Sequence, residues 1–120
     1  MSAELTPGER ACRYAYGAAT VMHTYARAVK TDLAYGLHML AEQAAANTSE
    51  VLEADDIDMD ALEELSLRYC KANAVISALS MEGSNDMLYA GEALMEVTKE
   101  MIDAEIARRI ASAPSADPQA

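Results

Sequence analysis

Leu62, Leu65, Tyr69, Ala72, Ile76 and Leu79 follow one another at alternating intervals of three and four residues. On an α-helix that spacing gathers all six on one stripe. On a strand it would scatter them over both faces. Sustained over about two and a half heptads, such a stripe is a seam for packing against other helices. A lone helix cannot hide it, so the remaining chain must supply partners. The composition allows this. Ala, Leu, Met, Glu and Arg favour helices, whereas Val, Ile and Thr, from which strands are made, are sparse.

Four helices can be placed by their start and stop signals. "TPGE" at residues 6–9 reads as a cap, a proline in the first turn and a capping-box acid, and it opens a helix over residues 7–29. Its stripe is Cys12, Ala15, Ala19, Met22, Ala26 and Val29, with Tyr14, Val21 and Tyr25 flanking it. "KTD" at residues 30–32 breaks the chain and caps a second helix over residues 32–53, with Leu33, Leu37, Leu40, Ala44 and Val51 as its stripe. Asn47, Thr48 and Ser49 compete for backbone hydrogen bonds there, which predicts fraying or a bend. Asp58 or Asp60 starts the third helix, and Asp60 with Glu63 suggests a capping-box variant. Gly83 ends it, and residues 84–86 cap a fourth helix over residues 86–110.

The fold class expected is all-α: a four-helix antiparallel bundle built from two hairpins, in a single domain over residues 1–110, followed by a disordered tail over residues 111–120. The two hairpins echo each other. "DLAYGLHMLAE" at residues 32–42 resembles "DMLYAGEALME" at residues 86–96, and Glu9, Arg13, Tyr14 and Ala19 match Glu64, Arg68, Tyr69 and Ala74 one hairpin later. An internal duplication explains this, and so do capped helices of similar length sharing similar letters. Both give the same architecture.

The net charge of −11 is unevenly spread. Residues 31–67 contain no Lys or Arg and ten acids. That argues against direct nucleic-acid binding, which needs clustered cations, and against docking on an anionic membrane. It suits a protein partner with a basic face. No apolar run approaches the roughly 18 residues of a membrane span, and no charged-then-apolar leader opens the chain. Cys12 and Cys70 form no cysteine framework. The expectation is a reduced, cytoplasmic protein.

No motif specifies a chemistry. Asp56, Asp58 and Asp60 have calcium-loop spacing, but Ala61 stands where the loop needs Gly and Leu67 where it needs Glu. A solvated helix N-terminus is the favoured reading. A di-metal bundle needs Glu-x-x-His pairs, and the nearest approach is His38 with Glu42 at i,i+4, read as a surface pair. Cys12 and His23 share a helix face but stand about 16 Å apart along it. Cys70 with His38 across helices stays open. The glycines are scattered and form no phosphate cradle. The sequence therefore predicts no catalytic residue, no metal, no cofactor and no enzymatic activity.

The fourth helix carries two neighbouring stripes, Met87, Leu94, Met101 and Leu88, Met95, Ile102. That is wider than one seam needs, so either the helix is central or one stripe is offered to a partner. Met and Tyr both suit adaptable interfaces, and both also fill cores. The candidate partner-binding residues are Met87, Leu88, Met95 and Ile102, which would supply apolar contact, and Asp55, Asp56 and Asp58, which would steer a basic partner. A homodimer through the wide face of the fourth helix is also expected.

The third and fourth helices, "DMDALEELSLRYCKANAVISALS" and "NDMLYAGEALMEVTKEMIDAEI", resemble short helical-hairpin proteins of pseudomonads. In those, a Leu/Ser/Ala-rich helix precedes one reading roughly Gly-x-x-Leu-x-Glu-x-Ala. Gly91, Leu94 and Glu96 sit near that pattern. In size, charge and helicity the chain is also similar to small acidic antiactivators that bind transcription regulators. The likeness implies a non-enzymatic regulator that inhibits or sequesters another protein. The alternative is an acidic nucleic-acid mimic that blocks a DNA-binding protein or nuclease complex.

Overall fold

A computed structural model describes residues 6–54, 57–83 and 85–112. Four helices make up the described fold: α1 (Pro7–Val29), α2 (Asp32–Leu52), α3 (Met59–Ser80) and α4 (Asp86–Ser112). Each packs on its neighbours in chain order, and α4 closes the ring against α1. The result is the expected four-helix bundle.

Local chemistry accounts for the ends. Thr6 Oγ1 accepts from the Glu9 amide at 3.1 Å while Glu9 Oε1 accepts from the Thr6 amide at 2.9 Å, a complete capping box. Thr31 caps α2, accepting from the Ala34 amide at 3.2 Å. Asn85 caps α4 with bonds from the Met87 and Leu88 amides. For α3, Asp58 is the cap and accepts from Asp60 at 3.3 Å. Asp60 is thus inside the helix, and the box expected from Asp60 and Glu63 does not open it. The helix α4 includes Ala111 and Ser112, so the expected tail boundary moves outward, and residues 113–120 lie outside the described part.

Lys30 ends α1 in the left-handed region, φ 60° and ψ 37°, a conformation in which a Cβ is costly. Lys30→Gly removes that cost but loosens the unfolded chain. The expected balance is a gain of about 0.5–1 kcal/mol, read as a higher urea midpoint. A lower midpoint would show that the lysine side chain does more than end the helix.

The core follows the sequence pattern unevenly. All six residues of the α3 stripe are buried, at most 2% exposed. In α1, Cys12, Ala15, Ala19, Met22 and Ala26 are buried and Val29 packs at the edge. In α2 the buried line is Ala34, Leu37, Ala41, Ala44, Ala45 and Thr48, while Leu33 is 39% exposed. The helix turns its alanines inward because α1 also presents alanines, Ala11, Ala15, Ala18 and Ala19, and small side chains let the two backbones close up. The bend expected near Thr48 does not interrupt α2. Thr48 is fully buried, and its hydroxyl donates to the Ala44 carbonyl at 2.6 Å and accepts from the Tyr69 hydroxyl at 2.7 Å.

Two further contacts set the register of α4 on α1. Gly91 faces Met22, and a Cβ at that position would come within 2.8 Å of the Met22 sulfur. A Cβ on Gly17 would lie 3.6 Å from Leu94 Cδ1. A side chain at Gly91 would have to displace the tip of the fully buried Met22, which occupies the space.

Candidate interaction surfaces

The register of α4 decides between its two stripes. Leu88, Met95 and Ile102 point inward and are at most 1% exposed. The first stripe lies at the boundary: Met87 is 40% exposed, while Leu94 and Met101 are half-buried. This corrects the reading of Leu88, Met95 and Ile102 as partner contacts, because they are consumed by the bundle's own core. Met87 remains accessible. Asp58 is exposed at the head of α3, and Asp55 and Asp56 lie outside the described residues.

At the α2–α3 end, Glu50, Glu53, Asp58, Asp60, Glu63 and Glu64 are all exposed. Their local explanations differ. Asp58 and Asp60 sit at the N-terminus of α3, where the helix dipole favours negative charge. Glu53 accepts a short hydrogen bond from Ser49 and a weak one from the Cys12 thiol at 3.8 Å. Glu50 sits in the last turns of α2, where the dipole disfavours an acid, and no basic residue occupies that helix end. With Glu64 it lines an open groove between α2 and α3, together with Asn47, Val51, Ala61, Leu65 and Arg68.

Across the bundle from that groove lies the α1/α4 face. On α1, Tyr14, Gly17, Val21, Thr24 and Ala28 alternate three and four apart. On α4, Met87, Ala90, Leu94, Val97, Met101 and Ala104 do the same. None is charged, and all are exposed or half-buried. Tyr14 is 37% exposed and Val97 38%. The α1 line was hidden in the sequence because Gly, Thr and Ala read as helix filler. The missing signal was the absence of charge at five successive heptad-spaced positions, 14 to 28, after Arg10.

The titratable groups are held locally. The imidazoles of His23 and His38 stack with centroids 4.7 Å apart, a pairing across helices that sequence spacing does not reveal. His38 Nε2 meets Glu42 Oε2 at 2.8 Å, the surface pair expected. On the other side Lys99 donates to Asp103 at 2.6 Å, and Ser66 donates to the other oxygen at 2.6 Å. Burial works to raise the Asp103 carboxyl, but those two hydrogen bonds outweigh it and hold it below the usual range. Arg108 and Arg109 both grip Glu105 and hold its carboxyl low.

The cysteines stay apart. Cys12 is buried, and burial with the Glu53 carboxylate pushes its thiol up, away from the reactive thiolate. Cys70 is exposed. The Thr48–Tyr69 bond fixes the α2/α3 register and places His38 level with Leu79. That is nine residues, about 13 Å, along α3 from Cys70. Among the described residues no group of three His, Cys, Asp or Glu is placed to hold a metal ion. No described helix is long and apolar enough to cross a membrane.

Comparisons with protein-family models, curated proteins and solved structures find no match to this chain.

Proposed function

We propose that this protein is a non-enzymatic regulator in the cytoplasm that sequesters another protein through its acidic α2–α3 pole. The observation that carries the reading is Glu50 with Glu64 on the open α2/α3 groove. Glu50 opposes the dipole of its own helix and has no basic residue at that helix end to offset it. Arg68 is the one cation lining the groove, against two carboxylates, and a partner that brings further positive charge relieves the imbalance that is left. DNA-binding surfaces are of that kind, since they must neutralise phosphates. A transcription regulator held off its site is the partner that fits, as in the antiactivators the chain resembles. Apolar contact comes from Val51 and Ala61 in the same groove; Leu65 is 1% exposed and, like Leu88, Met95 and Ile102, takes no part.

The test is capture from a lysate of the source organism by the wild type and by the Glu50→Gln/Glu64→Gln variant. Both residues are exposed, so the fold should persist. The expected result is a DNA-binding protein retained by the wild type and lost about tenfold by the variant, two exposed charge pairs at roughly 0.7 kcal/mol each being worth that much. Retention of the same proteins by both would remove the acidic groove from the mechanism. A salt series separates the mode, because pure phosphate mimicry weakens steeply with ionic strength.

A further inference from the structure

We infer that the α1/α4 face is a homodimer interface, in which α1 of each copy lies across α4 of the other. Tyr14 to Ala28 on the α1 line and Met87 to Ala104 on the α4 line carry no charge, with Arg10 and Arg108 next along them at one end; the lines run along the bundle's outer boundary, where Leu94 also packs against the core. Such a pattern on an outer surface is what a second pair of helices packs against. What selects a second copy is the charge on the two margins. Along the α1 margin stand Arg13 and Arg27, and along the α4 margin Asp86, Glu96 and Glu100, all exposed. None of these five belongs to an ion pair of the described residues within 4 Å.

Their heights match. The contacts of Gly17 with Leu94 and of Met22 with Gly91 set the α1/α4 register. They place Arg13 level with Thr98, between Glu96 and Glu100, and Arg27 level with Asp86. A two-fold axis in the interface, parallel to the helices, keeps every height and exchanges the margins. Arg13 then faces the partner's acidic pair and Arg27 faces Asp86 across the interface, each twice by symmetry. The two helices meeting across the interface also run antiparallel, with opposed dipoles. An axis perpendicular to the helices would instead set α1 on α1 and bring Arg13 toward Arg27, like charge against like.

The footprint runs from Met87 to Ala104, about 25 Å, and is two helices or roughly 20 Å wide. That is somewhat below the roughly 800 Å² per partner of a standard interface, so the charged margins are needed to complete it. The dimer leaves both α2–α3 poles uncovered, at the same end of the helices and on opposite outer sides. Dimerisation and partner capture therefore fail separately.

Sedimentation of the full chain tests this. The wild type is expected to be dimeric at about 100 µM, in the micromolar range of small interfaces. Val97→Arg puts a charge in the centre of the face without touching the core, and should weaken association at least tenfold while circular dichroism stays unchanged. Arg13→Glu should also weaken it, and Arg13→Glu combined with Glu96→Arg and Glu100→Arg should restore it, because both rows reverse together. A monomer at that concentration would overturn the inference. So would a dimer indifferent to Val97→Arg, or a triple variant no better than Arg13→Glu alone.

Discussion

Met95→Glu is expected to destabilise the bundle by about 4 kcal/mol or more, while Met87→Glu, eight residues earlier on the same helix, changes stability by no more than about 0.5 kcal/mol. Met95 is 1% exposed among the core residues of all four helices, and Met87 is 40% exposed. A carboxylate at Met95 would lose its water and find no cation. Lys99, one turn on, is already committed to Asp103 on the α3 side. The buried acid would stay neutral instead, its pKa raised by desolvation. Part of the lost stability should therefore return on acidification, which a mere packing defect would not show. For a domain of this size 4 kcal/mol corresponds to a fall of roughly 15–30 °C in Tm. Thermal unfolding followed by circular dichroism reads both variants. If Met95→Glu kept its Tm and Met87→Glu lost it, the α4 helix would be turned by about eighty degrees from the position described.

That pair of residues also marks where the sequence stopped being informative. The two α4 stripes differ by one residue in phase and hardly at all in composition, so hydrophobicity alone cannot rank them. The choice is made by a contact between helices. Only the inward setting of Leu88, Met95 and Ile102 brings Gly91 under Met22. The α2 helix fails for a related reason. Ranking by hydrophobicity puts Leu33 inside, but alanines on α1 and α2 allow a close approach that turns Leu33 outward. By contrast α3 has one unambiguous stripe, and all six of its residues are buried. The caps were legible because they depend on three or four adjacent residues and nothing else.

The echo between hairpins divides in the same way. Tyr35 and Tyr89 share their exposure, 42% and 44%, but Tyr14 is 37% exposed where its counterpart Tyr69 is 1% exposed. The candidate surfaces were visible only in part. The acidic block stands out as a run of letters, and two of its members, Asp58 and Asp60, turn out to serve the start of α3. The α1/α4 face needs two helices to be brought together before its charge rows mean anything. Its Arg and Glu positions are ordinary surface residues on either helix alone.

Tyr69→Ala is the second large effect, an expected loss of about 3–5 kcal/mol. Tyr69 is the largest of the fully buried side chains, and its removal leaves a cavity that the surrounding helices cannot fully close. Tyr69→Phe separates the ring from the hydroxyl. It should cost only about 1 kcal/mol, because Thr48 keeps its bond to the Ala44 carbonyl. The hydroxyl has a second signature. Burial pushes its pKa up from 10 to about 12, against the smaller opposing effect of the Thr48 hydrogen bond. Between those values the unfolded chain has lost the proton and the folded chain has kept it. The stability tied to that proton is therefore complete below pH 10 and is lost as the pH rises toward 12, by roughly 2–3 kcal/mol. Tyr25, also raised by burial, adds a smaller loss of the same sign. Urea midpoints measured from pH 8 to 12 should fall for the wild type and fall distinctly less for Tyr69→Phe. Equal slopes would mean that the hydroxyl reaches water in the folded state, and the Thr48–Tyr69 bond would then not be the sealed link between α2 and α3 beside the run of Asn, Thr and Ser through which the second helix continues.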